Sequence, residues 1–386
     1  MSDSTTPKPE KPYEGFPLYA HASGRWAKKI RGKTFFFGPW SDPDAALERL
    51  NREYPYLSQG KRPPEPDADG PTVATVCNEH LEHQDALLLE KQRSVETFNE
   101  HLAAAKAMTA TLGRDRLVDD LRPEDFAALR KRLADGVGPV TLRNRIGRVK
   151  AVFNYAHKQG RIGSLPRYGA QFDPPTAKQI RLARADAGEK YLDAKQIRAL
   201  LADANPIMKA MILLGINCGF NARDCSLLTD DYVDLGGSWI SYRREKTGER
   251  RDCPLWPETV DALRAVLDNR PKANAPADAK RVFLNRRGGT YERKSSRGKV
   301  GSCPICCMFN RLLTKLDMNR TGLNFGSLRH THRTEADAIQ DPQAKRRIMG
   351  HTAGTGEAVE SGYIERIHPE RLTAITDRIH DWLFNE

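Results

Sequence analysis

The sequence predicts a multidomain, mainly α-helical fold with small β-sheets, and three features lead to this expectation. Stretches rich in proline and charge occupy residues 61–71 and 166–190, dividing a chain of 386 residues that is long enough for two or three domains. Apolar residues recur at helical spacing in the longer segments. Short alternating runs closed by glycine turns occur in two places, and each predicts a β-hairpin.

The charge balance indicates a polyanionic partner, nucleic acid before membrane. The net charge is +12 and the pI is about 9.4. No apolar run approaches the roughly twenty residues that span a bilayer, and the N-terminus lacks the apolar core of a secretory signal. Seven cysteines, an odd number scattered over a long chain, fit a reducing cytoplasm better than a disulfide framework. We therefore expect a cytoplasmic protein without a membrane partner.

The N-terminal part predicts a tail and a small β unit. Residues 1–14 are polar and contain prolines, which predicts a disordered tail. Within residues 15–60, alternation predicts strands at 18–21, 25–30 and 33–37, followed by a helix that is capped by Ser41 or Asp42 and runs to about Asn51. Basic side chains cluster on the strands beside Trp26: Arg25, Lys28, Lys29, Arg31 and Lys33. They either contact DNA or keep the hairpin face soluble.

A helical domain is predicted for residues 72–165, and its clearest helix follows Gly138 and Pro139, with Thr141 as the expected cap. One apolar stripe recurs at helical spacing along it: Leu142, Ile146, Val149, Phe153 and Ala156. The remaining positions carry a basic set: Arg143, Arg145, Arg148 and Lys150. Such a helix either lies along a phosphate backbone or presents an ordinary solvated face.

Residues 166–190 contain three prolines and several basic residues without clear periodicity, which predicts an interdomain linker. The final domain, residues 191–386, opens with a helix near Asp193 and a nearly all-apolar, buried helix at 207–216. Alternation at 239–244 and 250–255 around the turn Lys246-Thr247-Gly248 then predicts a β-hairpin.

Three residues near the C-terminus suit chemistry at a phosphate. Arg329 offers a planar fork of donors that matches two phosphate oxygens. His351 can donate a hydrogen bond to a third oxygen, and the phenolic oxygen of Tyr363 can attack phosphorus and become covalently attached. Arginines can neutralise the charge that develops on the phosphoryl oxygens, so we expect neither a metal nor another cofactor.

The order and spacing of Leu328-Arg329-His330-Thr331, Ile348-Met349-Gly350-His351 and Tyr363 resemble those of the tyrosine recombinases, or phage integrases. The resemblance covers roughly residues 191–386. It implies a mostly helical catalytic domain with a small sheet, a helical core-binding domain at 72–165, and an N-terminal unit at 15–60 that is similar to arm-type DNA-binding modules. It also implies that Tyr363 attacks a DNA phosphodiester to give a 3′-phosphotyrosine.

The chain departs from this family's pattern at two positions. When Gly219, Asp224 and Leu228 are aligned, Asn221 stands where the family has its first catalytic arginine, and Arg223 lies two residues further on. Either Asn221 supplies a neutral donor there, or the long side chain of Arg223 reaches the phosphate. Gly326 replaces the usual histidine of the family's H-x-x-R pattern.

The same alignment makes His330 a buried structural histidine rather than an acid or base. The run beginning at Lys246 resembles the family's hairpin lysine motif, which implies that Lys246 protonates the leaving 5′ oxygen as general acid. A zinc site at Cys303 and Cys306 would need further ligands that the sequence does not offer nearby. We expect the thiols of Cys303, Cys306 and Cys307 to lie unliganded in a loop.

A last helix after Pro369 carries an apolar stripe: Leu372, Ile375, Ile379, Trp382 and Leu383. It packs either on its own domain or, as the resemblance implies, on a neighbouring subunit of a tetramer on double-stranded DNA. The sequence thus predicts a recombinase or integrase. The alternatives are a DNA-binding protein of the same fold, weakened at Asn221 and Gly326, and a type IB topoisomerase-like enzyme.

Overall fold

The computed structural model describes residues 8–58, 70–244, 247–352 and 366–385. The chain divides into two compact units, Met1–Pro71 and Thr72–Glu386. In the part of the chain that the structure describes, no helix is both long and apolar enough to traverse a lipid bilayer.

The first unit is a three-stranded antiparallel sheet with one helix. Strands β1 (Tyr19–His21), β2 (Arg25–Ile30) and β3 (Lys33–Pro39) lie in sequence order. Helix α1 (Pro43–Leu57) follows, with Asp42 accepting a hydrogen bond from the amide of its first turn. The three predicted strands and the helix after them are present, although α1 continues to Leu57 and does not end near Asn51 as predicted.

Apolar side chains from the sheet and α1, among them Trp26, Phe37 and Leu50, form the core of this unit together with Phe16, which precedes β1. Two of the predicted DNA-binding residues lie on the sheet. The Lys28 ammonium stands over the ring of Tyr54 at 5.0 Å from its centroid, and Lys29 is exposed.

Four helices form a bundle at the start of the second unit: α2 (Val73–Leu89), α3 (Val95–Leu112), α4 (Pro123–Ala134) and α5 (Pro139–Lys158). The predicted stripe of α5 is buried throughout, from Leu142 to Ala156. Gly138, not Thr141, is the N-cap residue, and Pro139 takes the first helical position. The expected Thr141 cap is therefore wrong, because proline is preorganised for that position and begins the helix two residues earlier.

Residues 166–190, predicted as a linker, contain a short 3₁₀ helix, Ala170–Phe172, and helix α6 (Ala177–Asp186). Phe172 is fully buried against the bundle, where its ring stacks on Tyr168 and tilts against Phe126. The first half of this segment is thus fixed to the bundle by aromatic packing.

The remainder of the second unit is helical around one small sheet. Its helices are α7 (Ala194–Asp203), α8 (Pro206–Asn217), α9 (Ala222–Leu227), α10 (Pro257–Asp268), α11 (Pro304–Lys315), α12 (Gly326–Glu335), α13 (Pro342–Met349) and α14 (Pro369–Phe384). Its antiparallel strands are β4 (Val233–Asp234), β5 (Trp239–Arg243) and β6 (Arg250–Pro254). The predicted hairpin and both predicted helices are confirmed.

Helix α8 lies at the centre of this domain and positions α12. A Cβ atom at Gly215 would lie 2.8 Å from the side chain of Leu328, so glycine allows the two helices to approach closely. This packing fixes the helix that carries Arg329.

Helix α14 packs on its own domain. Its predicted stripe is buried, and Trp256 donates an indole hydrogen bond of 3.0 Å to the Thr376 carbonyl in the middle of the helix. Contacts with β6, α13 and α7 cover the stripe. Of the two expectations for this helix, the structure shows packing within the chain.

A loop of the C-terminal domain is fastened to the bundle by Asn99 of α3. Its side-chain nitrogen donates to the Ser296 carbonyl at 2.9 Å, and its oxygen accepts from the Gly298 amide at 2.6 Å. Arg297 pairs with Asp85 of α2 at 2.6 Å. These contacts join the helical bundle to the C-terminal domain within the second unit.

We expect Phe153→Ala to destabilise the chain by about 3–5 kcal/mol, because it removes a fully buried ring from the bundle core. Arg143→Ala, an exposed change on the same helix, should stay within about 0.5 kcal/mol of the parent protein. Urea denaturation followed by far-ultraviolet circular dichroism measures both. A loss below 1 kcal/mol for Phe153→Ala would contradict the described packing.

Candidate active site

Helix α9 begins with a reciprocal cap that places a carboxylate in the interior. The side-chain oxygen of Asn221 accepts the amide hydrogens of Arg223 at 2.8 Å and Asp224 at 3.0 Å. The Asp224 carboxylate in turn accepts the Asn221 amide hydrogen at 3.0 Å. Asp224 is thereby held with only 8% of its side chain exposed.

Three arginines surround the Asp224 carboxylate, each from a different element. Arg251 of β6 reaches it at 3.0 Å, Arg244 after β5 at 3.4 Å, and Arg329 of α12 at 3.9 Å. A carboxylate this deeply buried is stable only when paired, and the pairing draws three elements to one point.

Arg251 has a structural role. Only 1% of its side chain is exposed, and its guanidinium donates to the Cys218 carbonyl at 2.6 Å and the Ile348 carbonyl at 2.9 Å. The group also lies 4.3 Å above the ring centroid of Phe220. Its donors are thus used to connect the end of α8 with α13.

Arg329 and His351 are joined directly. Arg329 Nη2 donates to the Met349 carbonyl at 2.9 Å and to His351 Nε2 at 2.5 Å, while Nη1 donates to the Gly219 carbonyl. Burial, together with the charges of Arg251 and Arg244, lowers the pKa of Arg329 to about 10, so Arg329 remains charged at neutral pH.

His351 is neutral at physiological pH. Desolvation first, then the charges of Arg329 and Arg244, lower its pKa to about 4. An arginine N–H can only donate, so His351 Nε2 is the acceptor and the ring proton resides on Nδ1. His351 therefore offers an Nδ1–H donor beside a guanidinium, a combination suited to binding an anion.

Gly350 allows His351 to reach this position. It ends α13 in the left-handed conformation with φ of 60°, and a Cβ atom there would lie 2.6 Å from Arg251 Cγ. The Gly350 carbonyl accepts hydrogen bonds from Thr247 Oγ1 at 3.1 Å and Arg244 Nη1 at 3.5 Å. The β5–β6 turn is thus attached to the residue before His351.

Two predicted catalytic residues, Lys246 and Tyr363, lie outside the described residues. The two residues flanking this part of the hairpin, Arg244 and Thr247, both contact Gly350.

Asn221 and Arg223 occupy different environments. The oxygen of Asn221 is committed to the cap of α9, whereas the Arg223 side chain is exposed. Arg223 lies near Glu96 of α3: burial raises the pKa of that carboxyl, but hydrogen bonds and the charge of Arg223 lower it overall. Gly326 begins α12 and donates its amide hydrogen to Asn324 at 2.8 Å.

The buried histidine of α12 is His332, and the expectation for His330 is wrong. His330 is exposed, whereas His332 is fully buried and its Nδ1–H donates to the Ile216 carbonyl at 2.8 Å. Leu328, Thr331 and His332 form the inward face of the helix. The i, i+3, i+4 spacing could have identified His332.

The basic residues predicted on α5 differ in their partners. Arg143 is exposed, Arg145 donates to the Leu133 carbonyl at 2.8 Å, and Arg148 pairs with Glu100 at 2.6 Å. Lys150 stands 5.1 Å from the ring centroid of Tyr168. Arg143 is therefore the member of this set most open to an external phosphate.

The cysteine motif is not in a loop, and this expectation is wrong. Cys303 is the N-cap of α11, where its sulfur accepts the Cys306 amide hydrogen at 3.4 Å, and both Cys306 and Cys307 are helical. The cap formed by the Cys303 sulfur satisfies a backbone amide in the first turn of α11, which favours a helix over an open loop at these residues. No group of three or more metal-binding side chains occurs among the described residues.

Comparison of the sequence with protein-family models and with curated proteins finds no match. The fold does have solved counterparts. The integrase of transposon Tn1549, in complex with a circular intermediate DNA, matches with a TM-score of 0.57 at 17% identity, over 80% of this chain and 99% of the other. A lambda integrase dimer bound to a COC′ core site matches with a TM-score of 0.55 at 15% identity, over 94% and 99%. A lambda integrase tetramer bound to a Holliday junction matches with 0.53 at 15% identity, over 93% and 99%.

We expect acid to destabilise the fold through His332. Burial lowers its folded-state pKa to about 3, whereas the unfolded chain titrates near 6.5. As the pH falls from 6.5 towards 3, the unfolded state therefore takes up a proton that the native state excludes, and the free energy of unfolding decreases by about 1.4 kcal/mol per pH unit.

Urea denaturation between pH 7 and 4.5 measures this slope. His332→Asn, which keeps a donor for the Ile216 carbonyl, should reduce the slope by nearly one proton. His330→Asn is the matched control on the exposed side of the same helix, with a smaller change expected. An unchanged slope in His332→Asn would show that His332 is not the group responsible.

Proposed function

We propose that this chain, which has the tyrosine recombinase fold, is a site-specific DNA recombinase or integrase that cuts and rejoins double-stranded DNA. The observation that carries the proposal is the direct pairing of Arg329 with a neutral His351 beside a buried cluster of guanidiniums. That arrangement offers charge and hydrogen-bond donors to a phosphodiester and needs neither metal nor ATP.

In the proposed reaction the Tyr363 oxygen attacks the scissile phosphorus, its phenolic proton leaves to water, and the bond to the 5′ oxygen breaks. The product is a 3′-phosphotyrosine with a free 5′ hydroxyl. Arg329 neutralises charge on the non-bridging oxygens, and His351 Nδ1–H donates to one of them. Lys246 protonates the leaving 5′ oxygen. The phosphodiester energy is kept in the phosphotyrosine, so a second 5′ hydroxyl can reverse the step.

We further propose that DNA is held by three regions: the unit at 15–60, the helical domain at 72–165 and the catalytic domain at 191–386. The net charge of +12 favours such an extended contact. Assembly of several copies on DNA is supported by the dimeric and tetrameric lambda integrase structures. Because the apolar stripe of α14 is buried within the chain, a role for that helix between subunits would require its outer face.

A DNA-binding protein without strand cleavage is the second candidate. It is favoured by Asn221, whose oxygen serves as a helix cap and whose side chain carries no charge where the resemblance expects an arginine. A type IB topoisomerase-like enzyme would form the same covalent adduct. It differs in rejoining the cut strand to its original end instead of transferring it to a second duplex.

We expect the wild-type protein to become covalently attached to a nicked suicide duplex, selected from a random-sequence library by binding. Tyr363→Phe should abolish this adduct and leave affinity nearly unchanged, because only the attacking oxygen is removed. Denaturing gel electrophoresis detects the adduct, and strand transfer to a second labelled duplex separates recombinase from topoisomerase.

The matched control is Tyr232→Phe, which removes a phenolic oxygen from another tyrosine of the same domain. If wild type forms no adduct on a duplex that it binds specifically, the binding-protein alternative replaces the enzyme proposal. An adduct that survives Tyr363→Phe would assign the nucleophile to another residue.

DNA affinity should fall steeply with salt, since each phosphate neutralised contributes about −0.9 to the slope of log K against log salt. Arg143→Ala should reduce the magnitude of that slope by about one phosphate, because this arginine is exposed on α5. Arg145→Ala is the comparison on the same helix and should change it less, since Arg145 is bonded to Leu133. Fluorescence anisotropy over a salt series measures both. Equal slopes for Arg143→Ala and wild type would exclude Arg143 as a phosphate contact.

A further inference from the structure

We propose that Arg244 supplies the second guanidinium at the scissile phosphate, the role that the resemblance assigns to the position of Asn221. The inference rests on the proposed strand cleavage and names a residue for it that neither the motif alignment nor the predicted site contained.

Arg244 shares its surroundings with Arg329 and His351. Its Nε lies 3.4 Å from the Asp224 carboxylate, which Arg329 also approaches, and its Nη1 lies 3.5 Å from the carbonyl of Gly350, the residue before His351. Burial is the largest cause of the lowered pKa values of Arg329 and His351, and the charge of Arg244 is among the further causes for both. The three side chains are thus within electrostatic reach of one another.

The donors of Arg244 are weakly engaged, in contrast to those of Arg251. The hydrogen bonds of Arg251 to Cys218 and Ile348 measure 2.6 and 2.9 Å, whereas both contacts of Arg244 lie at 3.4–3.5 Å, the outer limit for a hydrogen bond. Within residues 8–58, 70–244, 247–352 and 366–385, no atom accepts a hydrogen bond from Arg244 Nη2. Arg244 therefore keeps donors that can turn to an oxyanion.

A cavity of about 300 Å³ connects Arg244 with the position of the missing arginine. Asn221, Asp224 and Arg244 line it, and so do three further arginines, Arg223, Arg243 and Arg281. A side chain shorter than arginine at position 221 leaves this space open. Arg244 pairs there with Asp224, the carboxylate that Arg329 also approaches. The charge is thus delivered to the same region from a different element.

The local charge balance also favours an anion. Among the residues that the structure describes, Arg244, Arg251 and Arg329 pair with one carboxylate, that of Asp224, which leaves an excess of two positive charges. Buried charge without a counter-ion is costly. A phosphodiester under attack develops negative charge on both non-bridging oxygens, and this charge would balance the excess.

Arg244 contributes hydrogen-bond donors only. It neither exchanges a proton nor forms a covalent bond in the proposed step. Arg329 and Arg244 would each neutralise one non-bridging oxygen while Tyr363 attacks. Asn221 cannot supply this charge, since its side chain is neutral: its oxygen accepts two amide hydrogens at the start of α9, and its nitrogen could offer only an uncharged donor.

The test compares single-turnover rates of adduct formation on the suicide duplex. Arg244→Ala should lower the rate on the order of 10²–10³-fold, as does the loss of one oxyanion donor. Arg250→Ala is the matched control, because Arg250 is an exposed arginine on the other strand of the same hairpin and does not line the cavity; it should react at nearly the wild-type rate. Thermal melting and DNA affinity are recorded for each variant.

A second substrate separates a contact with phosphate from a structural role. It carries a methylphosphonate at the cleavage position, where a neutral methyl group replaces one charged oxygen. If Arg244 neutralises that oxygen, Arg244→Ala should react with one methylphosphonate diastereomer at close to the wild-type rate on the same substrate.

The inference is overturned if Arg244→Ala forms the adduct on the phosphodiester at the wild-type rate. It is also overturned if the rate of adduct formation by Arg244→Ala stays at least about thirtyfold below the wild-type rate on both substrates, or if this variant reacts with neither. A structural defect would lower the rate on both substrates, because it does not depend on the phosphate charge. Absence of any wild-type adduct overturns the proposed function itself and the inference with it.

Discussion

The buried carboxylate of Asp224 is the constraint on which the rest of the site depends. It holds guanidiniums from β6, the end of β5 and α12 around one point. Without it, three positive charges would meet in a water-poor interior, and the elements that carry them would repel each other. The short helix α9 carries this carboxylate in its first turn. The reciprocal cap between Asn221 and Asp224 closes its N-terminus, which would otherwise be open to water.

Two glycines let the backbone approach this charged centre. Gly219 has φ of 63°, and a Cβ atom there would lie 2.9 Å from the ring of His332. Gly350, also left-handed, lies against the stems of Arg251 and Arg244. Backbone carbonyls of both glycines accept hydrogen bonds from site arginines. The arginines are therefore positioned by main chain as much as by side chains, which restricts their rotamers before any ligand binds.

Local features of the fold could be predicted from the sequence because they depend on near neighbours: the hairpins, the stripe of α5 and the helix that begins near Asp193. The errors arose where two local signals competed, as with Pro139 over Thr141 and the Cys303 cap over an open loop. His330 stands in the motif, but the i, i+3, i+4 spacing of Leu328, Thr331 and His332 places His332 on the face that packs on α8. The motif spacing predicted Arg329 and His351, whose pairing is seen. The surroundings of Arg244 could not be predicted, since its partners lie 20 and 106 residues away in sequence.

If Arg244 acts as proposed, that distance also explains how a chain with asparagine at position 221 can have a second guanidinium at the site. A phosphate responds to the position of a guanidinium, not to the element that carries it, so a helix-borne arginine can be exchanged for one on a hairpin if both reach the same cavity. The proposed exchange has a structural consequence. Thr247 donates to the Gly350 carbonyl at 3.1 Å and Arg244 lies 3.5 Å from it, so both sides of the β5–β6 turn lie against the residue before His351. With Lys246 between them in sequence, the general acid and one phosphate donor of the proposed reaction would be assembled by the same turn, and opening that turn would remove both together.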